Sequence, residues 1–223
     1  MASWLTIKLV RHAESLANVN ELNPQEQGDY KTPLTAYGLE QAAEAGRAIG
    51  APFLEQALVY HSPYLRVRQT VSEIFRVTGA DDRVEGIYED PRLREVDHGY
   101  ADVLQQAALR EKHGWFYYRY AGGESPADCY DRTSGFLESL MRQVERKKAA
   151  RVLIVTHGTA LRCFVMRFLR LSVDDFERME NPHNCDVVTI ADRSDLPHAT
   201  CHRGTWAVEG VRFTDLANAA ATM

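Results

Sequence analysis

Lys8–Leu9–Val10–Arg11–His12–Ala13–Glu14–Ser15–Leu16–Ala17–Asn18 is the stretch from which the fold can be read, because it brings an arginine and a histidine out of an apolar run. Trp4, Leu5, Ile7, Leu9 and Val10 read as a short buried strand, and the small and polar residues after His12 read as a turn into a new element. In open α/β sheets ligands collect beyond the carboxyl ends of the strands, so Arg11 and His12 are expected at a binding crevice. Val152–Leu153–Ile154–Val155–Thr156–His157–Gly158–Thr159–Ala160–Leu161–Arg162 repeats the arrangement: apolar run, histidine, small residue, helical pattern. If both strands are central in one sheet, two histidines remote along the chain meet over the same crevice.

Outward from these anchors, strands alternate with helices. Asn20 to Pro33 is rich in turn-forming residues and reads as a long loop that could cover the site. Thr35 is a helix N-cap followed by Leu39, Ala42, Ala43, Gly46 and Ile49 on one face, whose small residues imply close packing on the sheet. Leu58–Val59–Tyr60 is an apolar run ending in His61 and Ser62, and Pro63 suits the first turn of a helix carrying Arg66, Gln69 and Thr70. Val84 to Tyr88 forms a third strand, and Pro91–Arg92–Leu93–Arg94–Glu95–Val96–Asp97–His98–Gly99 a charged loop without helical period. Val103 to Lys112 looks helical, Trp115 to Tyr120 is an aromatic cluster, and Ser125 with Pro126 and Asp128 starts a long helix. Ser172 with Asp175 marks another helix start, Cys185 to Ile190 a late strand, and Thr200 to Val208 an edge strand before a tail. This alternation predicts an α/β fold, a three-layer sandwich whose mostly parallel central sheet is flanked by helices on both faces. The expectation is a single domain over residues 1–223, with residues about 96–124 inserted near the site.

With 223 residues the chain buries a sizeable core without disulfides or metal. A formal net charge of −5 argues against nucleic acid or an anionic membrane as partner. Four widely spaced cysteines without a CxxC fit free thiols in a reducing compartment, and no segment reads as a signal peptide or membrane span, so a cytoplasmic location is expected. His198, Cys201 and His202 lie close enough together to raise a metal site, but two histidines and a thiol on an edge strand are more often solvated or packed. The oligomeric state is left open, a homodimer among the options.

An arginine, two histidines, a second arginine and a carboxylate in one crevice suit phosphoryl transfer. A neutral imidazole is a competent nucleophile, and a phosphate ester carrying nearly two negative charges needs fixed cations, which arginine supplies in a planar, bidentate form. Taken alone, His12 is an ordinary turn histidine, Arg66 an exposed helix residue and Glu95 a surface charge; the set gives them meaning. The motifs resemble the histidine phosphatase superfamily, which includes the cofactor-dependent phosphoglycerate mutases. The blocks that carry the resemblance are Arg11–His12–Ala13–Glu14–Ser15 with Asn18, Leu34–Thr35 with Gly38 and Gln41–Ala42, Ser62–Pro63 with Arg66 and Gln69–Thr70, Leu93 with Glu95 and Gly99, and Thr156–His157–Gly158.

The resemblance implies a phosphoglycerate mutase-like fold and a metal-independent phosphomonoesterase without cofactor, acting on a small phosphorylated metabolite. It implies that His12 attacks phosphorus and becomes a phosphohistidine, that Arg11, Arg66 and a cationic His157 hold the equatorial oxygens, and that Glu95 protonates the leaving alcohol and then activates water. Ser15, Asn18 and Gly158 would bind the substrate. A carboxyl group beside a bound dianion is pushed toward its protonated form by like charge, the direction an acid requires; in this loop Asp97 or Glu89 is the alternative acid. Two departures stand out. Ala13 replaces the usual glycine, and Tyr100–Ala101–Asp102–Val103 and Gly122–Gly123–Glu124–Ser125 stand where mutases carry a lysine and the paired arginines that grip a substrate carboxylate. A phosphatase is therefore preferred over a phosphoglycerate mutase using the same phosphohistidine. A non-catalytic phosphate-ester binding protein and a metal hydrolase are the competing classes.

Overall fold

Strands β1 (Thr6–Arg11) and β4 (Arg151–Thr156) lie side by side and parallel with Arg11 opposite Thr156, so the residues that follow them, His12 and His157, leave the sheet together. The computed structural model describes residues 4–23, 28–100 and 103–214. Its remaining elements are α1 (Ala36–Ile49), α2 (Ala51–Leu54), β2 (Leu58–His61), α3 (Leu65–Thr78), β3 (Gly86–Glu89), α4 (Val103–His113), α5 (Pro126–Lys147), α6 (Gly158–Leu169), α7 (Val173–Arg178), β5 (Val187–Asp192), β6 (Cys201–Arg203) and β7 (Trp206–Glu209).

The strands form one sheet in the order β3-β2-β4-β1-β5-β7-β6. Period-two alternation divides its two cores. Ile7, Leu9, Leu58, Val152 and Ile154 pack on one face with Phe136, Leu140 and Val144 of α5 and Leu161, Phe164 and Val165 of α6. Val10, Val59, Leu153 and Val155 pack on the other with Ile49 of α1 and Val67, Val71 and Ile74 of α3. The sheet thus forms the middle layer between two helical layers.

Three sequence expectations need adjustment. The sheet is parallel across β3, β2, β4 and β1, and β5, β7 and β6 continue it antiparallel, with β7 returning between β5 and β6 after the short β6–β7 turn. The region Thr200 to Val208 is a hairpin turning at Gly204 (φ 62°), not one edge strand; of the tail expected beyond it, Phe213 bridges to Met179 and residues 215–223 lie outside the described residues. Pro63 stands before the helix cap Tyr64 and not in the first turn. Thr35, Ser125 and Ser172 do cap α1, α5 and α7, each accepting from the backbone N–H three residues on. Among the described residues no helix is long and apolar enough to cross a membrane.

Candidate active site

The carboxyl ends of β1, β2 and β4 open into a cavity of about 660 Å³. His12, on its wall, meets His157 with ring centroids 5.1 Å apart at 65°. The His12 ring is held by its neighbours: Nδ1 lies 2.8 Å from Ala13 O, which can only accept, so Nδ1 carries the proton and Nε2 presents its lone pair, 3.2 Å from Arg66 Nε. Arg66 Nη2 donates to His157 Nδ1 at 3.3 Å, which leaves the His157 proton on Nε2, donated to Ser62 Oγ at 2.8 Å. Burial, and after it the Arg66 guanidinium, push both imidazoles well below the ordinary histidine value of 6.5. The hydrogen bonds give the His157 ring one proton, on Nε2; the cationic partner expected from sequence is that of a bound phosphoryl group. His157 is fully buried behind Arg66 and forms no part of the cavity wall.

Arg66, 4 % exposed, is the hub. Besides both rings it binds Asp29 in a fork, Nη1 to Oδ1 at 2.7 Å and Nη2 to Oδ2 at 3.0 Å, with a further bond to Asp29 O at 2.9 Å. Asp29 comes from the long loop after β1, residues 24–27 of which lie outside the described residues. Arg11 also lines the cavity; its Nη1 donates to Pro182 O at 2.6 Å, and its Nε is enclosed with no hydrogen-bond partner among the described residues.

The turn after His12 is braced from several elements. Ala13 N donates to Thr70 Oγ1 at 3.1 Å, and the Ala13 methyl packs against Leu34 and Ala42, so the Cβ that departs from the usual glycine is accommodated. Gly38 is required, since a Cβ there would stand 2.0 Å from Glu14 O. Ser15 N and Oγ both donate to Asn18 Oδ1, at 3.0 and 2.9 Å, so these two residues first of all close the turn while lining the cavity. Gly158 does not line the cavity; it lies under Asn181, whose Oδ1 a Cβ would approach to 2.1 Å, and Asn181 forms part of the wall.

Of the three carboxylates weighed from sequence, Glu95 and Asp97 face the cavity and Glu89 does not. Glu95 bridges two backbone donors, Val96 N at 3.0 Å and, at the start of α6, Thr159 N at 3.2 Å. Its loop is held by Arg132 of α5, which donates to Arg92 O, Arg94 O and Glu95 O at 2.7, 2.8 and 3.1 Å while paired to Glu124. Thr156 Oγ1 ties Leu93 O to β4 at 2.7 Å.

Sequence reasoning missed Asp29, Arg132, Asn184, which donates to His12 O at 2.8 Å, and Arg162 of the cavity wall. Arg162 left a signal: it interrupts the apolar run Ala160–Leu161 and Cys163–Phe164–Val165. The aromatic cluster divides, with Phe116 and Tyr120 in a small core around Cys163 and Phe176 and Trp115 on the cavity wall. Among the described residues no group of three or more His, Cys, Asp or Glu is gathered as a metal site, and all four cysteines are free thiols.

Fold and site together define an α/β protein with an arginine-ringed histidine pair at the carboxyl edge of its sheet. A family model described as "Histidine phosphatase superfamily (branch 1)" matches residues 7–203. The chain is 38 % identical over 199 residues to the Arabidopsis thaliana "Phosphoglycerate mutase-like protein AT74", an alignment covering 81 % of this chain and 63 % of that protein, so the chain spans a little under two thirds of that relative's length. It is 35 % identical over 115 residues to the Saccharomyces cerevisiae "Broad-range acid phosphatase DET1", covering 47 % and 34 %. In fold it is similar to a mycobacterial glucosyl-3-phosphoglycerate phosphatase, with a TM-score of 0.69 at 20 % identity over 92 % of this chain and 98 % of the other. The chain belongs to the histidine phosphatase superfamily.

Proposed function

We propose that the protein is a phosphomonoesterase of small phosphorylated metabolites that works through a phosphohistidine at His12. The observation that carries this reading is the state of the His12 ring, whose proton is fixed on Nδ1 by Ala13 O and whose Nε2 lone pair accepts from Arg66 Nε on the cavity wall, a bond that Arg66 exchanges for a phosphoryl oxygen when the ester enters. In the first half-reaction Nε2 attacks phosphorus, the bond to the leaving oxygen breaks, and Glu95 gives that oxygen a proton. In the second, the Glu95 carboxylate takes a proton from water, the water oxygen attacks phosphorus, and the N–P bond breaks to return His12 and release phosphate.

Phosphoryl transfer depends on positioning and charge neutralisation, which Arg11 and Arg66 supply to the equatorial oxygens. Asp29 must leave the Arg66 fork for those oxygens to enter it. His157 aligns Arg66 and His12, and once a dianion lies against Arg66 it can take up a proton and bind an oxygen itself. The Asn18 amide and the Ser15 hydroxyl border the same space, and Gly158 lets Asn181 close over it.

Release of inorganic phosphate from a panel of esters tests the reading. Turnover abolished in His12→Ala is expected. Binding of phosphate and esters by thermal shift with no release at any pH would make the chain a binding protein instead. Isomerisation of phosphoglycerates outrunning phosphate release would make it a mutase, the phosphoryl group passing from His12 to a second hydroxyl and not to water.

A further inference from the structure

Arg162 is the fully enclosed arginine of the cavity wall that has no ion-pair partner among the described residues. It is 2 % exposed, and Glu95 and Glu177 act on it only from a distance. The other buried arginine, Arg66, is paired with Asp29, and the partly buried Arg132 with Glu124; Arg11, partly buried at the histidine end, shares the lack of an ion pair among the described residues. One Arg162 nitrogen, Nη2, donates to Phe176 O at 2.5 Å; Nε is enclosed without a partner, and Nη1 makes no hydrogen bond among the described residues. The guanidinium packs against two adjoining rings, 4.2 Å from the Trp115 centroid and 4.4 Å from that of Phe176, whose centroids are 5.3 Å apart. Burial pushes its pKa down to about 10, so it still carries its charge at neutral pH.

A buried charge with unused donors is costly unless something anionic completes it. The geometry says where that anion would lie. Arg162 stands five residues after His157 on one helix, ~7.5 Å along its axis, and helical side chains lean back toward the N-terminus, here toward Thr159 and the Glu95 carboxylate that Thr159 N holds. Trp115, which covers it, lines the cavity as well. The guanidinium therefore lies on the side of Glu95 where a leaving group would sit.

We propose that Arg162 is a specificity-determining residue that binds a second anionic group, a carboxylate or a second phosphate, on the leaving-group part of the ester; this rests on the phosphomonoesterase reading above. The grip comes from helix α6, not from the segments around Tyr100 and Glu124 where sequence comparison looks for it.

The test is the ratio of kcat/KM within matched pairs: 3-phosphoglycerate against glycerol 3-phosphate for a carboxylate, and fructose 1,6-bisphosphate against fructose 6-phosphate for a second phosphate. The wild type should favour the doubly anionic member of at least one pair by about tenfold or more, the preference falling to about twofold or less in Arg162→Gln and persisting in part in Arg162→Lys. Because the ratio is taken on one enzyme preparation, a loss of folded protein cancels from it. The pair that responds identifies the anion. No preference in the wild type, or a preference undiminished in Arg162→Gln, overturns the assignment. If no ester turns over, the phosphatase reading falls, and the same ratios measured as calorimetric dissociation constants decide the role of Arg162 by the same criterion.

Discussion

At the histidine end of the cavity every ring nitrogen of His12 and His157 has a partner fixed on a strand end, a helix or the turn between them, whereas the far end is walled by Val96 to Tyr100, Trp115 and Arg162, with Tyr100 81 % exposed and one arginine uncompensated. The difference teaches how the molecule separates its tasks. Groups that must not move relative to one another sit where paired strands β1 and β4 release them side by side, and the far end combines loop residues that can change without disturbing the sheet with one arginine fixed on the core helix α6.

The sharpest way to break this comparison is through Glu95, which stands between the two ends. Glu95→Gln should lower turnover of alkyl phosphates by roughly 10²- to 10⁴-fold but that of an aryl phosphate with a good leaving group far less, since only the former needs a proton delivered. Equal losses on both would remove Glu95 from the acid role. Next comes Arg66. Arg66→Ala should cost roughly 10²- to 10³-fold in kcat/KM, and Arg66→Lys should restore little, because a point charge cannot bridge two imidazoles and fork an anion together. A lysine variant near wild type would mean that charge alone suffices at the histidine end.

Smaller effects come from the loop that closes that end. Asp29→Asn removes the carboxylate that fills the Arg66 fork, so inorganic phosphate should inhibit about fivefold more tightly; weaker inhibition would make Asp29 a brace for Arg66 and not its competitor. The buried imidazoles also set a pH dependence. Their folded-state pKa values lie well below 6.5, so as pH falls through 6.5 the unfolded chain takes up protons that the folded chain refuses. Stability should therefore drop on acidification, by up to ~1.4 kcal/mol per pH unit for each ring, and the slope of melting temperature against pH between 5 and 7 should be shallower in His12→Asn. An unchanged slope would place the acid-sensitive group elsewhere. With the same sign, His12 stays unprotonated and nucleophilic at pH values where an exposed histidine is charged.

What the sequence discloses divides along a different line. His12, His157, Arg66 and Glu95 could be found because each follows an apolar strand or sits in a short block of turn and helix-start residues, signals that survive in one dimension. Arg132 and Asn184 could not, since they act on Glu95 O and His12 O from elements far along the chain and look like surface residues until the chain folds. Asp29 lay in a loop read only as a cover. The antiparallel half of the sheet was half-legible: β6 has three residues, too few to show a period, and was merged with β7.

The most direct test of the account is to trap the phosphorylated protein. Brief exposure to a ³²P-labelled phosphate ester, followed by alkaline denaturation and peptide mapping, should place acid-labile label on His12, with none bound in His12→Ala and none on His157. Label on another residue, or full turnover by His12→Ala, would contradict it.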